Sequence, residues 1–503
     1  METSISTALD ASQFFFTSPI LVLALGGIIV LLLDAYASGA GRRWLMWVSA
    51  GTCVLTLLSA VLVFRDPATT AGRELFDGML VADRFALFLT MAFVAAAFLT
   101  LLLSGDFLRE HGVEYGEYYS LVLFATSGMV ILAMAGDLVT VFLGIETMSL
   151  AVYVLTGSFR NSVRSSEAAL KYFLTGAFAS AILLYGMALV YGTTGTTNLK
   201  AISEAAKATE PVFLTGEFLL IAAFGFKLAA APFHMWAPDA YEGAPTPVTA
   251  FMAAGVKAAG FAGILRLFLT AFGGDVLPFG NMGWGSILGI LAAITMTVGN
   301  LAALRQENVK RLLAYSSISH AGYLLIGVVA SGIGAEETAR PAMLFYLLAY
   351  TFTTVGTFGV IAWLGSKGDE RLLVDDWSGL ATRHPAAALV MTIFLLSLAG
   401  MPPTAGFFGK FYVFRAAMQV YDGQLLWLVI VAVLNSIVSV YYYLKIVMAM
   451  YFREPTREPR PLQSPAVTIA LALAALFVLE MGLLPGFWLD LATSSVMSGM
   501  AGL

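Results

Sequence analysis

The chain of 503 residues has one cysteine, Cys53. A disulfide within the chain needs two cysteines and a Cys-ligated iron–sulfur cluster needs several, so both are excluded. Charge is also scarce, at 12% of residues against roughly 25% in soluble proteins. The first fifteen residues contain no Lys or Arg, which argues against a secretory leader with a basic start and for a retained first apolar segment. No glycine fingerprint opens a strand–helix–strand unit and no histidines pair for haem, so no cofactor is expected in this chain. No metal site is expected either. Long polar stretches are missing too. The longest, 192–210 and 366–385, suit short surface helices and leave no room for a soluble catalytic domain. The net charge of −5 says little about partners, and no nucleic acid is expected among them.

What abounds is apolar sequence, at 59% of residues. Apolar runs of about 20 residues recur from end to end without strict alternation, which marks membrane-spanning helices and not barrel strands. The chain therefore reads as an all-α, multi-pass membrane protein in a lipid bilayer. Fourteen spans are expected, near 16–34, 44–64, 82–104, 117–135, 137–157, 165–191, 211–235, 246–271, 284–303, 311–331, 341–365, 386–420, 424–451 and 465–489. The run 386–420 is too long for one straight span and is expected to be broken. With the N-terminus outside, fourteen basic residues fall in inside loops, among them Arg164, Lys310, Arg311, Lys367, Arg457 and Arg460. Eight fall in outside loops, among them Arg84, Lys207 and Arg266, so both termini are expected on the outer side.

Five lysines fall inside spans: Lys171, Lys227, Lys257, Lys410 and Lys445. Glu146 lies near the middle of "GIETMSLAVYVL" and His320 near the middle of "SSISHAGYLLIG". A lysine at a span centre costs about 2.5–3.5 kcal/mol to insert. Lys257, eleven residues into its span, lies roughly 16 Å deep. Lys171 and Lys445 are near inner span ends, where a long side chain can reach water. Asp34, Glu217 and Glu480 read as interfacial. The central groups admit a structural role as fixed ion partners, and His320 as a core histidine bonded to a carbonyl. Their functional role is a proton relay, because burial penalises charge and a moving partner of opposite sign restores it.

Prolines sharpen the functional reading. Pro232 follows Lys227, and Pro402–Pro403 precede Lys410. A proline removes a backbone donor and breaks the helix, so freed carbonyls and water are expected to solvate the neighbouring lysine. His234 and Trp236 fit the mouth of the first break, and "APDAYEGAPTPVTAF", dense in Pro and Gly, reads as a tight re-entry loop. Spans 4–8 and 9–13 form two five-helix units, each broken at its fourth span. Five is odd, so the units are inverted repeats. The chain divides into a three-helix segment (1–110), a first proton-channel repeat (111–275), a second repeat (276–455) and a last helix (456–503).

The segments "KLAAAPFHMWAPDAYEGAPTPVTAF", "GIETMSLAVYVLTG", "AYSSISHAGYLLIG" and "PPTAGFFGKFYVF" resemble the antiporter-like membrane subunits of NADH:quinone oxidoreductase, respiratory complex I. The tyrosine in "DAYEGAPTPVTAF", a lysine and not a glutamate at 410, and an end soon after span 14 resemble the bacterial N-type subunit. The resemblance implies proton translocation through Glu146, which pairs with Lys227, tuned by Lys171. It implies a central Lys257, a terminal Lys410 beside the exit half-channel, and His320 bridging those two. It implies a bacterial inner (plasma) membrane location. Partners would be sister antiporter-like, small membrane and peripheral subunits, which would carry NADH, FMN, iron–sulfur clusters and quinone. The rival reading is a subunit of a multi-subunit cation/proton antiporter or of a membrane-bound hydrogenase.

Overall fold

In lipid a segment must close its own backbone hydrogen bonds, and the apolar runs do so as helices. The computed structural model describes residues 11–36, 42–206, 210–273, 283–365, 370–420, 423–455 and 461–496. Lys207, Lys367, Arg457 and Arg460, counted above among loop charges, lie outside the described residues. Thirteen described helices are long and apolar enough to cross a membrane. They are span 1 (Ser18–Tyr36), 2 (Arg43–Phe64), 3 (Arg84–Glu110), 4 (Gly116–Ala133), 5 (Leu138–Thr156), 6 (Val163–Thr194), 7 (Pro211–Leu228), 8 (Thr246–Ala271), 9 (Trp284–Leu304), 10 (Val309–Gly332), 11 (Glu336–Leu364), 13 (Leu426–Phe452) and 14 (Pro465–Leu483). Span 12 is present in two pieces, Pro385–Ala399 and Ala405–Met418. Spans 8, 10 and 11 are buried almost throughout and form the centre.

The two breaks share one backbone solution. Span 7 stops at Leu228, Ala229 turns left-handed (φ 55°), and the Ala230 N–H closes back to the Gly225 carbonyl at 2.7 Å. The first piece of span 12 stops at Ala399, Gly400 turns left-handed (φ 82°), and the Met401 N–H closes back to Leu396 at 3.0 Å. This is the usual way for a helix end to satisfy its last carbonyls. One offset in sequence recurs. The N-caps Asp137 and Asn308 of spans 5 and 10, the turns Ala229 and Gly400, and the prolines Pro232 and Pro403 are each 171 residues apart.

Four expectations need correction. The segment expected as a re-entry loop holds a helix, Trp236–Gly243, and span 8 already starts at Thr246. Pro238 and Pro247 lie in first helical turns, where proline costs no hydrogen bond. Lys310 is not a loop residue but the second residue of span 10, buried, donating to the carbonyls of Glu242 (3.0 Å) and Ala244 (2.6 Å). Arg266 lies inside span 8, where it forms a buried bidentate pair with Asp83 (2.6 and 2.8 Å) and also donates to the Ala133 carbonyl. Glu217 is 3% exposed and not interfacial. Beside it spans 6 and 7 approach closely through Gly186 and Gly216; a Cβ at Gly186 would lie 2.9 Å from the Gly216 carbonyl. A two-stranded hairpin, Arg73–Leu75 with Leu80–Ala82, and a helix Pro485–Val496 add to the expected elements.

Candidate proton path

The central basic groups are all deep, with Lys227 at 6%, Lys257 at 3%, His320 at 2% and Lys410 at 4% exposure. The partners that hold them are mostly hydroxyls. Lys227, the penultimate residue of span 7, donates to the Ser149 hydroxyl at 2.5 Å and lies 5.9 Å above the Tyr153 ring. Glu146, one turn before Ser149 on span 5 and half-buried, accepts instead from the Ser180 hydroxyl of span 6. No ion pair joins Glu146 to Lys227 among the described residues; two serines and a narrow cleft stand between them. Ser180 and Lys227 line the cleft, whose volume of about 10 Å³ for the centre of a water molecule suits about one water. Gly176 makes room there, since a Cβ at that position would lie 1.9 Å from the Tyr153 hydroxyl.

Lys257 follows a π-helical turn, Met252–Val256, a distortion frequent at functional sites. Its ammonium donates to both the carbonyl (2.5 Å) and the hydroxyl of Ser317 on span 10. Tyr350 donates to the same hydroxyl at 2.9 Å and stacks 5.0 Å from His320. His320 does not touch either lysine. Its Nδ1 meets the Tyr346 hydroxyl at 2.7 Å and its Nε2 the Tyr443 hydroxyl at 3.2 Å. On the far side Lys410 lies 5.0 Å above the Tyr323 ring, whose hydroxyl accepts from Asn300 at 3.0 Å. The structure therefore brings Lys257, His320 and Lys410 into one region but places Ser317, Tyr350 and Tyr323 between them. Lys410 also faces a cavity of about 340 Å³ bounded by Phe407, Phe411 and Ile437.

The breaks treat their lysines differently. Lys410 follows its break and takes a freed carbonyl, Ala399, at 3.0 Å, together with the Ser436 hydroxyl at 3.1 Å. Lys227 precedes its break, and the Phe226 carbonyl there accepts from the Ala229 N–H and from the Trp236 indole, both at 3.0 Å. Solvation by freed carbonyls, expected at both, is seen only at Lys410. Gly400 is required twice over. It has a left-handed φ of 82°, and a Cβ there would lie 2.9 Å from the Lys410 Cδ.

Lys171 is separate from this path. It is 47% exposed and pairs with Glu167 (2.7 Å) and Asp239 (2.9 Å), some nine residues, or roughly 14 Å along span 6, from the serine that holds Glu146. Arg311 pairs with Asp239 (2.7 Å) and Glu242 (2.9 Å), so one charged vestibule of about 220 Å³ gathers these groups. Partial burial raises the Asp239 carboxyl, but hydrogen bonds from Lys171 and Arg311 outweigh it and hold that group below its usual range. Lys445 reaches out of its span to Glu307 at 2.9 Å.

The connecting hydroxyls were missed in the sequence. Ser317, His320 and Tyr323 fall at helical spacing on one span, as do Glu146 and Ser149, and Tyr346 and Tyr350. That one-sided run of polar groups in an apolar segment was the available signal.

Broken spans and buried lysines linked through hydroxyls and a histidine define an antiporter-like, ion-translocating class of membrane subunit. The family described as NADH:quinone oxidoreductase/Mrp antiporter, TM, matches residues 135–437, and the chain belongs to it. NADH-quinone oxidoreductase subunit N 1 of Sorangium cellulosum (strain So ce56) is 46% identical over 509 aligned residues, covering 96% of this chain and 99% of that one. A chain of respiratory complex I from Thermus thermophilus is 34% identical, with TM-score 0.79 over 94% of this chain and 99% of that one. A chain of the Mrp complex from Dietzia sp. DQ12-45-1b is 24% identical, with TM-score 0.83 over 96% of this chain and 97% of that one, and shares the fold.

Proposed function

We propose that this chain is the N-type proton-translocating membrane subunit of a bacterial NADH:quinone oxidoreductase. The observation that carries the reading is the full-length match to subunit N proteins combined with deep lysines held mainly by hydroxyls. A hydroxyl both donates and accepts, so it suits a lysine that alternates between ammonium and amine. Glu146 and Lys227 form a pair that communicates through Ser149 and Ser180. Lys257, His320 and Lys410 continue the path through Ser317 and the tyrosines. Lys171 acts from the vestibule, as a neighbour of Asp239 and Arg311. The recurring offset of 171 residues supports reading 111–275 and 276–455 as inverted repeats, flanked by 1–110 and 456–503. We place both termini on the outer side of the inner membrane and the vestibule on the inner side. NADH, FMN, iron–sulfur clusters and quinone belong to partner subunits.

The test is NADH-driven proton uptake by the assembled complex in sealed vesicles. Replacing Lys257 with Gln is expected to abolish coupled uptake while the complex still assembles. Normal uptake by that variant would overturn the reading. Extraction in mild detergent decides against the cation/proton antiporter or hydrogenase alternative, provided NADH dehydrogenase activity co-purifies with the chain.

A further inference from the structure

The short helix Trp236–Gly243 separates two polar regions that the path above leaves unconnected. One of its faces presents Asp239 and Glu242 to the vestibule, where Arg164, Glu167, Lys171 and Arg311 surround them. Tyr241, two residues from Asp239, points about 200° away around the helix axis. Its side chain is buried, edge-on to Phe358 and Trp236, with its hydroxyl in the neighbourhood of the Ser317 hydroxyl. Ser317 is the residue that holds Lys257. By the 171-residue offset Ser317 stands where the first unit has Glu146, at a position that already carries a proton site in that unit. A second hydroxyl lies on span 6, against Trp236. Tyr172, next to Lys171 in sequence, is stacked on Trp236 at 4.2 Å and 5°, fully buried, and its hydroxyl has no hydrogen-bond partner among the described residues. Tyr172 and Tyr241 both pack against Trp236, face-on and edge-on.

We propose that Tyr241 carries protons from the vestibule to Lys257, giving the second unit an intake that does not pass through Lys227. In the step, the Tyr241 O–H bond breaks as its proton passes to the Ser317 oxygen, and the Ser317 O–H proton passes to the neutral amine of Lys257. The Tyr241 oxygen takes a replacement proton from water beside Tyr172, supplied from the vestibule. Each oxygen loses one O–H bond and gains one, and Lys257 gains one N–H bond with one positive charge. The Tyr172–Trp236 stack is the wall that keeps this intake apart from Lys227.

The inference rests on reading Lys257 as a relay group, so the experiment separates the two. Tyr241→Phe keeps the ring contacts and removes the hydroxyl; Lys257→Gln is the control. Both are measured as NADH-driven proton uptake and turnover in inverted vesicles, per assembled complex. Tyr241→Phe is expected to give a few-fold loss that shrinks as the pH at the vestibule face is lowered, because intake has become limiting. A packing defect would not be relieved in that way. Tyr172→Phe keeps the stack and is expected to give the same acid-relieved loss; it decides the matter where Tyr241→Phe fails to assemble. Normal rates in the tyrosine variants with an impaired Lys257→Gln overturn this intake alone. A normal Lys257→Gln overturns the relay as well.

Discussion

The role proposed for Lys410 requires a side chain that titrates and is not merely positive, and the two demands come apart on substitution. Arginine keeps the charge but stays protonated at every accessible pH. Lys410→Arg is therefore expected to assemble and to lose coupled uptake, and Lys410→Ala to lose at least as much; normal pumping by the arginine variant would show a fixed charge. At Glu146 the partner is a hydroxyl, so Glu146→Gln keeps a hydrogen bond to Ser180 and deletes only the charge. Turnover of Glu146→Gln is expected to fall well below that of Glu146→Asp, and equal, near-normal rates would count against a charge role. The ionisable groups were legible in the sequence because a lysine in hydrocarbon costs about 2.5–3.5 kcal/mol and stands out. Ser149, Ser317 and Tyr350 were not, because serine and tyrosine are common in apolar helices and only the fold shows what they touch.

At the scale of elements, the proline breaks were legible but their consequences were not. Pro232 says that a helix stops; it does not say that Trp236 donates to the Phe226 carbonyl or that a new helix starts at Trp236. The same offset that separates Pro232 from Pro403 separates Asp239 from Lys410, two groups of opposite charge. The helix Trp236–Gly243 is tied at its end by Lys310, which meets its last carbonyls where a cation is favoured. Lys310→Met leaves those carbonyls unpaired and is expected to cost about 1.5–3 kcal/mol, read as a lower midpoint for thermal inactivation of the complex. Asp239 supplies a pH sign. Its carboxyl is held low, so its stabilising contribution is complete above the ordinary carboxylate range and is lost only as pH falls below it. Acid titration of the vestibule is expected to leave the wild type unchanged above about pH 5, a region in which Lys171→Gln, lacking one partner of Asp239, is the informative comparison.

For the whole molecule, the start of span 3 is anchored to span 8 by Asp83 and Arg266. Breaking a buried pair leaves an uncompensated charge and costs about 3–5 kcal/mol. Arg266→Leu is expected to lower the amount of chain in membranes sharply, and Arg266→Leu with Asp83→Asn to recover part of it, as quantified by immunoblot of assembled complex. Hydropathy and loop charge cannot foresee such a pair, because Arg266 sits near a span end and reads as a loop residue. The relation of Gly400 to Lys410 has a mechanical consequence. The lysine stem rests against the bare backbone of the pivot, with no side chain between. Swinging the ammonium away from the Ala399 carbonyl drags the stem across that pivot, so the proton loading proposed for this lysine would also turn a joint between two rods. Charge transfer and bending would then be a single stroke of the same lever.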